Sequence, residues 1–287
     1  MLLDGKRVAI VGGGKMGEAI LAGWLDPNNG VCSPNGGTTF IVVEPTEARR
    51  DYLTKTYGVT CVASVEDIEN SLDYSVLDLM LLSVKPQVLP SVLATIADEM
   101  DAEATPPLFV SIAAGTPLSC IEGAFAPREV HVVRVMPNTP LMVGQGASVI
   151  ARGTYATPQD AALVEELFGA LGFARQVDEK DIDAVCALSG GGPAYVAAMI
   201  EALRDAASEA GLSANLAEQL IVRTIAGTCA LMEATGQTPE QTRVAVCSPG
   251  GTTLAALAAM EEGGFSDSLK DGVRAAIARS KELAACS

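Results

Sequence analysis

The feature that most constrains this chain lies at its start. A short β-branched run, Arg7 to Val11, leads straight into Gly12-Gly13-Gly14-Lys15-Met16-Gly17, and Met16, Ile20, Leu21 and Trp24 then recur at helical spacing. Strand, glycine turn and helix in that order commit the chain to a βα unit. The spacing Gly12-x-Gly14-x-x-Gly17 has a physical purpose: a tight turn, close approach of bare backbone to a pyrophosphate, and a helix N-terminus whose free N–H groups hold that anion. Further apolar runs follow at Thr39 to Val43, Val59 to Val62, Leu79 to Val84, Leu108 to Ile112 and Val130 to Val135, with helical stretches such as Pro86 to Met100 between most of them. Such alternation predicts a parallel, doubly wound sheet, because each parallel crossover needs a connecting segment on one face. The stretch Pro27 to Gly37, rich in Asn, Gly and Pro, reads as a surface loop in the first crossover.

From Asp178 the strand pattern stops, and Ile182 to Leu188, Pro193 to Ala210, Asn215 to Ala234, Thr252 to Glu261 and Ser266 to Ala285 read as helices. The fold expected is therefore α/β, a Rossmann-like doubly wound sheet over residues 1–177 followed by an all-α domain over 178–287. Pro193 suits a first helical turn, and Gly211 and Gly236 suit helix ends. The apolar stretches of Pro193 to Ala210 and Leu216 to Met232 are wider than one face, which suggests burial against another subunit, and Glu201, Arg204, Asp205 and Arg223 argue against membrane spans. A formal charge of −16 disfavours nucleic acid and anionic bilayers as partners. Seven cysteines are scattered singly with His131 as the one imidazole, so no metal site is expected, and the thiols suit a reducing cytoplasm. The N-terminus has no long apolar run of the signal-peptide kind, so a cytoplasmic location is expected.

Several positions then carry chemistry. Glu44, just after the second strand, stands where a carboxylate would accept hydrogen bonds from adenosine ribose hydroxyls, whereas Arg49 and Arg50 beyond it could serve a 2′-phosphate. The first favours NADH and the second NADPH. Val84-Lys85-Pro86 and Ala113-Ala114-Gly115 end strands at the carboxyl edge, where open α/β sheets bind ligands and small residues leave room for a flat ring. In Met136-Pro137-Asn138-Thr139-Pro140 the prolines hold Asn138 and Thr139 either as ligand-facing groups or as a purely structural turn. Ser189-Gly190-Gly191-Gly192-Pro193-Ala194-Tyr195 is either a flexible linker or a glycine-rich helix start with a second concave set of N–H donors. Ser248-Pro249-Gly250-Gly251-Thr252-Thr253 interrupts a helical region and reads as a helix start facing a small molecule, its N–H groups supplemented by hydroxyls. With no metal cluster and no G-x-S-x-G elbow, hydrolysis loses support, while hydride transfer needs only orientation and charge stabilisation from the protein.

Taken in order, the fingerprint Gly12 to Gly17, Val84-Lys85-Pro86, Ser111 to Gly115, Met136 to Pro140, Ser189 to Tyr195, Ser248 to Thr253 and the closing Arg279-Ser280-Lys281-Glu282-Leu283 resemble pyrroline-5-carboxylate reductase over nearly the whole chain. The resemblance implies reduction of 1-pyrroline-5-carboxylate to L-proline with NADPH or NADH, the final step of proline synthesis. It further implies an interlocked homodimer, often built into larger rings, with the substrate between one subunit's cofactor domain and the dimer's helices. Carried over, Gly12, Gly14, Lys15, Met16, Gly17, Glu44, Val84, Lys85, Pro86, Ala113, Ala114, Gly115 and Asn138 would bind cofactor. Ser189, Gly190, Gly191, Gly192, Pro193, Ser248, Gly250, Gly251, Thr252 and Thr253 would bind substrate, with the Thr253 hydroxyl nearest the imine. The chain departs from the family pattern at Gly191, where a serine is usual, at Gln237-Thr238-Pro239 in place of Glu-His-Pro, and at Glu44. The competing expectations are a related imine or β-hydroxyacid reductase, whose catalytic lysine would sit in the interdomain helix that Lys180 only precedes, and a non-catalytic NAD(P)-sensing regulator.

Overall fold

The computed structural model describes residues 1–69, 76–101 and 104–283; Cys286 and the Ala284-Ala285 end expected for the last helix lie outside the described residues. The first half alternates as its pattern predicts: β1 (Arg7–Val11), α1 (Lys15–Leu25), β2 (Thr39–Val43), α2 (Glu47–Tyr57), β3 (Thr60–Val62), β4 (Leu79–Leu82), α3 (Leu89–Glu99), β5 (Leu108–Ser111), α4 (Leu118–Gly123) and β6 (Val132–Met136). Two further strands, β7 (Gly146–Arg152) and β8 (Gly172–Gln176), flank α5 (Pro158–Gly169). They complete one sheet in the order β3-β2-β1-β4-β5-β6-β7-β8, parallel throughout except where β7 runs antiparallel to β6.

The sheet is covered on both faces, so its strands are near-continuous apolar runs. Val8 and Ile10 face one core with Ile20, Leu21, Trp24 and Phe168, while Ala9 and Val11 face the other with Leu93, Ile96 and Phe109. Trp24 is fully buried, stands edge-on to Phe168 with ring centroids 6.1 Å apart, and donates Nε1–H to the Leu167 carbonyl at 3.1 Å. It thereby joins α1 to α5, two helices on one face. The Pro27 to Gly37 stretch is only partly a surface loop: Val31 and Cys32 are buried, and Val31 and Ser33 are hydrogen-bonded to Leu3 and Asp4. That anchorage lies at the amino end of β1, away from the glycine turn. Five cysteines, Cys32, Cys61, Cys186, Cys229 and Cys247, are free, whereas Cys120 is disulfide-bonded, a departure from the expectation of reduced thiols throughout.

Beyond β8 come α6 (Ile182–Val185), a π-helical turn Cys186–Gly190, α7 (Gly192–Glu209), α8 (Ala214–Thr235), α9 (Pro239–Ala245), α10 (Thr252–Glu262) and α11 (Phe265–Leu283). The chain divides into two compact units, Gly192 to Ala275 and the remainder, the latter regaining the chain from Ala276 onward. Ser280 accordingly donates to Asp183 at 2.7 Å within the first unit. The second unit is helical, with Ser213 and Thr238 capping α8 and α9 and Gly236 closing α8 at φ 66°. Among its described residues only Ala217 and Thr242 are buried, and Leu216, Leu220, Val222, Leu231, Val244 and Val246 are exposed. Among the described residues one helical stretch, Glu179–Glu209, could by length and composition alone cross a membrane, at a mean hydropathy of 1.2; Glu201, Arg204 and Asp205 lie in it.

Trp24 gives a direct test of the first unit's packing. Trp24→Ala should cost about 3–5 kcal/mol in urea unfolding followed by circular dichroism. Trp24→Phe, which keeps most of the ring but loses the Leu167 hydrogen bond, should cost far less; equal losses would mean the ring contributes little.

Candidate functional site

The strand order runs outward from β1 in one direction and from β4 in the other, so the carboxyl ends of β1 and β4 form the switch point at which such sheets bind ligands. Gly12 leaves β1 there at φ 113°, donating its N–H to the Val43 carbonyl at 2.9 Å. A Cβ at Gly12 would stand 2.8 Å from the Ser83 carbonyl, and one at Gly17 would collide with the Gly12 carbonyl and stand 2.7 Å from Ser83 Oγ. Both positions therefore require glycine, one for its positive φ and both for close approach. Ser83 Oγ lies 2.7 Å from the Gly12 carbonyl, to which it donates. Gly14 is the N-cap of α1 and offers no side-chain cap, so the first-turn amides are free to meet an anion.

Two cavities follow this edge. The larger, about 680 Å³, is lined by Gly12, Gly14, Glu44, Val84 and Lys85 among others; the smaller, about 310 Å³, by Met16, Pro86, Ala113, Ala114, Asn138 and Gly190. Ser83, Val84 and Lys85 line both, so the two form a track from the end of β2 past the glycine turn to the ends of β5 and β6. Lys15, Gly17 and Gly115 lie outside both linings: Lys15 is exposed on the first turn of α1, and Gly17 is buried in the helix–strand contact. Among the described residues no three His, Cys, Asp or Glu side chains gather as a metal site.

The two arginines beyond β2 are engaged elsewhere. Arg49 donates Nε–H to the Gly13 carbonyl at 2.8 Å and pairs with Glu18 of α1, while its guanidinium stacks 5.0 Å from the Tyr52 ring centroid. Arg50 donates to the carbonyls of Glu44 and Pro45 at 2.9 and 2.7 Å. Burial by itself would raise the Glu18 carboxyl, but hydrogen bonds from Arg49, Tyr57 and Tyr52 outweigh it and hold that group below its ordinary value. Burial, followed by the Glu18 carboxylate, pushes the Tyr57 phenol up to about 12.

The Ser189 to Pro193 block joins two helical segments. A π turn ends at Gly190, Gly191 is a bend that donates to the Cys186 carbonyl at 3.0 Å, and α7 starts at Gly192 with Pro193 in its first turn, where the chain also passes from one compact unit to the other. The Gly191 N–H is thereby taken up by the π turn. The turn is held against the end of β6: Asn138 Nδ2 donates to the Ser189 carbonyl at 3.1 Å, and a Cβ at Gly190 would stand 2.7 Å from Met136 Cε. Asn138 Oδ1 accepts from the Ala147 amide at 2.8 Å, so this nearly buried side chain is occupied in positioning. In the second unit, α10 starts at Thr252 behind Gly250, at φ 71°, and the N-cap Gly251, which supplies no side-chain cap. Thr252 is exposed and Thr253 half-buried in that first turn.

The family model for pyrroline-5-carboxylate reductase dimerisation matches residues 179–283, and a model for coenzyme F420-dependent NADP oxidoreductases matches residues 7–115. The pyrroline-5-carboxylate reductase of Synechocystis sp. is 42% identical over 96% of this chain and 98% of its own length, and that of Mycobacterium tuberculosis 36% identical over 99% and 98%. The chain belongs to the pyrroline-5-carboxylate reductase family. Solved structures agree: the Coxiella burnetii pyrroline-5-carboxylate reductase superposes with a TM-score of 0.85 at 30% identity over 98% of this chain and 99% of that one. The Plasmodium falciparum pyrroline carboxylate reductase with NADP bound gives 0.83 at 28% identity over 99% and 100%.

For a family defined by these two regions, the residue that sequence reasoning passed over is Ser83. Only its position before Val84-Lys85-Pro86 hinted at a role, because the contact with Gly12 and Gly17 is made across the sheet. Gly17→Ala should therefore lower the melting temperature, at a cost of about 1–3 kcal/mol, and weaken binding of a nicotinamide dinucleotide in a fluorescence titration. An unchanged melting temperature would show that the turn has slack.

Proposed function

We propose that this chain reduces 1-pyrroline-5-carboxylate to L-proline with NADPH or NADH, the last step of proline biosynthesis. The observation that carries the reading is full-length membership of the reductase family in a chain whose sheet edge retains the glycine turn, the uncapped α1 and the track of two cavities. The residues present fit a dinucleotide, because the turn at Gly12 and Gly17 is a cradle that any Cβ would fill.

A reduced nicotinamide bound along that edge supplies the hydride for the imine carbon. Gly12, Gly14, Lys15, Met16 and Gly17 would hold the pyrophosphate at the start of α1, and Val84, Lys85, Pro86, Ala113, Ala114 and Gly115 would border the ring. Asn138 would act by positioning the π turn that carries Ser189 and Gly190. At α10, Ser248, Gly250, Gly251 and Thr252 would receive the substrate carboxylate, since a helix N-terminus favours an anion, and the Thr253 hydroxyl would lie nearest the imine nitrogen. Gly191, Gly192 and Pro193 complete the proposed substrate set. A protonated imine is already electrophilic, so the reaction asks the protein for orientation rather than for a strong acid. We assign the cofactor to residues 1–177 and substrate and dimerisation to 178–287, in a cytoplasmic homodimer or ring of dimers. The exposed apolar side chains of α8 and the match to a dimerisation model support that assembly.

Purified protein given NADH or NADPH and pyrroline-5-carboxylate should deplete nicotinamide absorbance and form proline; cofactor binding without turnover would favour the sensing regulator instead. Thr253→Ala should lose on the order of 10²-fold in kcat/KM with little change in cofactor affinity. Wild-type kinetics in that variant would remove Thr253 from the site.

A further inference from the structure

The larger cavity has an imbalance of charge at the end that lies beyond β2. Glu44 and Glu66 are both on its lining, and among the described lining residues Lys85 is the single cation. Lys85 enters from the end of β4, where the larger cavity meets the smaller one, and so belongs to the middle of the track rather than to its β2 end.

The Glu44 carboxylate is held in place by its own turn. Oε1 accepts from the Thr46 amide at 2.9 Å, the Glu44 carbonyl is tied to Arg50, and Oε2 lies 3.2 Å from where a Cβ at Gly13 would stand, on the side of the glycine turn. The cations that could offset it are turned away. Arg49 is locked between the Gly13 carbonyl, Glu18 and the Tyr52 ring, and Glu18 is held in turn by the Tyr57 hydroxyl at 2.9 Å. Arg50 directs its Nη1 donors to two backbone carbonyls. Neither arginine reaches the cavity lining.

Resting on the proposal that this cavity holds the dinucleotide, we infer that its β2 end is built for an unphosphorylated adenosine ribose, so that Glu44 selects NADH over NADPH. The reason is electrostatic. A ribose 2′-hydroxyl is a donor that a carboxylate accepts, whereas a 2′-phosphate brings up to two negative charges and several acceptors against Glu44 and Glu66, with no arginine on the described lining to bind them. Arg49 instead serves as a positioning residue: it ties α2 to α1 and braces the Gly13 carbonyl.

The test is equilibrium binding of NADH and of NADPH to the full-length protein by nicotinamide fluorescence, alongside steady-state kinetics with each. The wild type should bind NADH at least about tenfold more tightly than NADPH. Glu44→Ser should narrow or reverse that ratio by weakening NADH and strengthening NADPH. Glu44→Gln, which retains the side chain's size and an acceptor for Thr46, should narrow it too if the charge is what discriminates. Adding Glu18→Gln to Glu44→Ser, which releases Arg49, should tighten NADPH further. Equal or tighter NADPH binding by the wild type, or an unchanged ratio in both Glu44 variants, would overturn the inference. Failure of both dinucleotides to bind would remove the cavity reading and the inference together. NADH-selective binding without reduction of pyrroline-5-carboxylate would support the inference and overturn the proposed reaction.

Discussion

Two backbone segments touch where the glycine turn meets the end of β4, and the rest of the first unit is arranged around that contact. Ser83 stands against Gly12 and Gly17 at distances that exclude a single added carbon, and its hydroxyl donates to the Gly12 carbonyl. The closeness lets α1 begin immediately behind β1, which aims its uncapped amides at the switch point of the sheet. It also sets Val84 and Lys85 beside Gly12, where they join the two cavities into one track. A methyl group at Gly17 would push strand and helix apart, so the packing of β1 against α1 and the placing of the uncapped helix start rest on the same missing side chain.

Further along the edge, polar side chains hold chain segments that lie far apart in sequence. Arg134 on β6, almost wholly buried, pairs with Glu179 at 3.0 Å, and the same carboxylate oxygen accepts from the Leu118 amide at 2.6 Å. A buried cation needs such a partner, and removing either half would leave a charge or donor unsatisfied. This link fixes where the chain leaves β8 and enters α6, and Asn138 fixes the π turn a few residues later. The second unit follows a different principle. Its helices are capped and regular, yet their apolar side chains remain on the outside of the single chain, the condition that a dimerisation domain resolves by burial against a copy.

How much of this was legible in the residues depended on whether the signal was local. The β1–α1 unit, the parallel strands through β6 and the helical second half were readable because period, glycine spacing and caps all act within a few residues. β7 and β8 were not, since Gly146, Ala147 and Ser148 begin β7 without an apolar run and β8 is an exposed edge strand in which Phe173 is 57% accessible. α9 went unread although Thr238 and Gln241 form its capping box and Pro239 stands in its first turn. The glycines of Ser189 to Pro193 mark the bend at Gly191 and the start of α7 at Gly192, while the π turn before them, in which the Gly191 amide reaches the Cys186 carbonyl, has no signature of its own in the residues.

The sequence by itself therefore determined the doubly wound sheet, the glycine turn between β1 and α1 and the family, all of which rest on patterns close together along the chain. It left Glu44, Arg49 and Arg50 as competing determinants of the cofactor's ribose, since adjacency in sequence says nothing about which charges are already paired. Only the tertiary structure decided that. Glu18 approaches Arg49 from another helix and removes it from the cavity, leaving Glu44 on the lining; such pairing across elements depends on packing that no local pattern encodes.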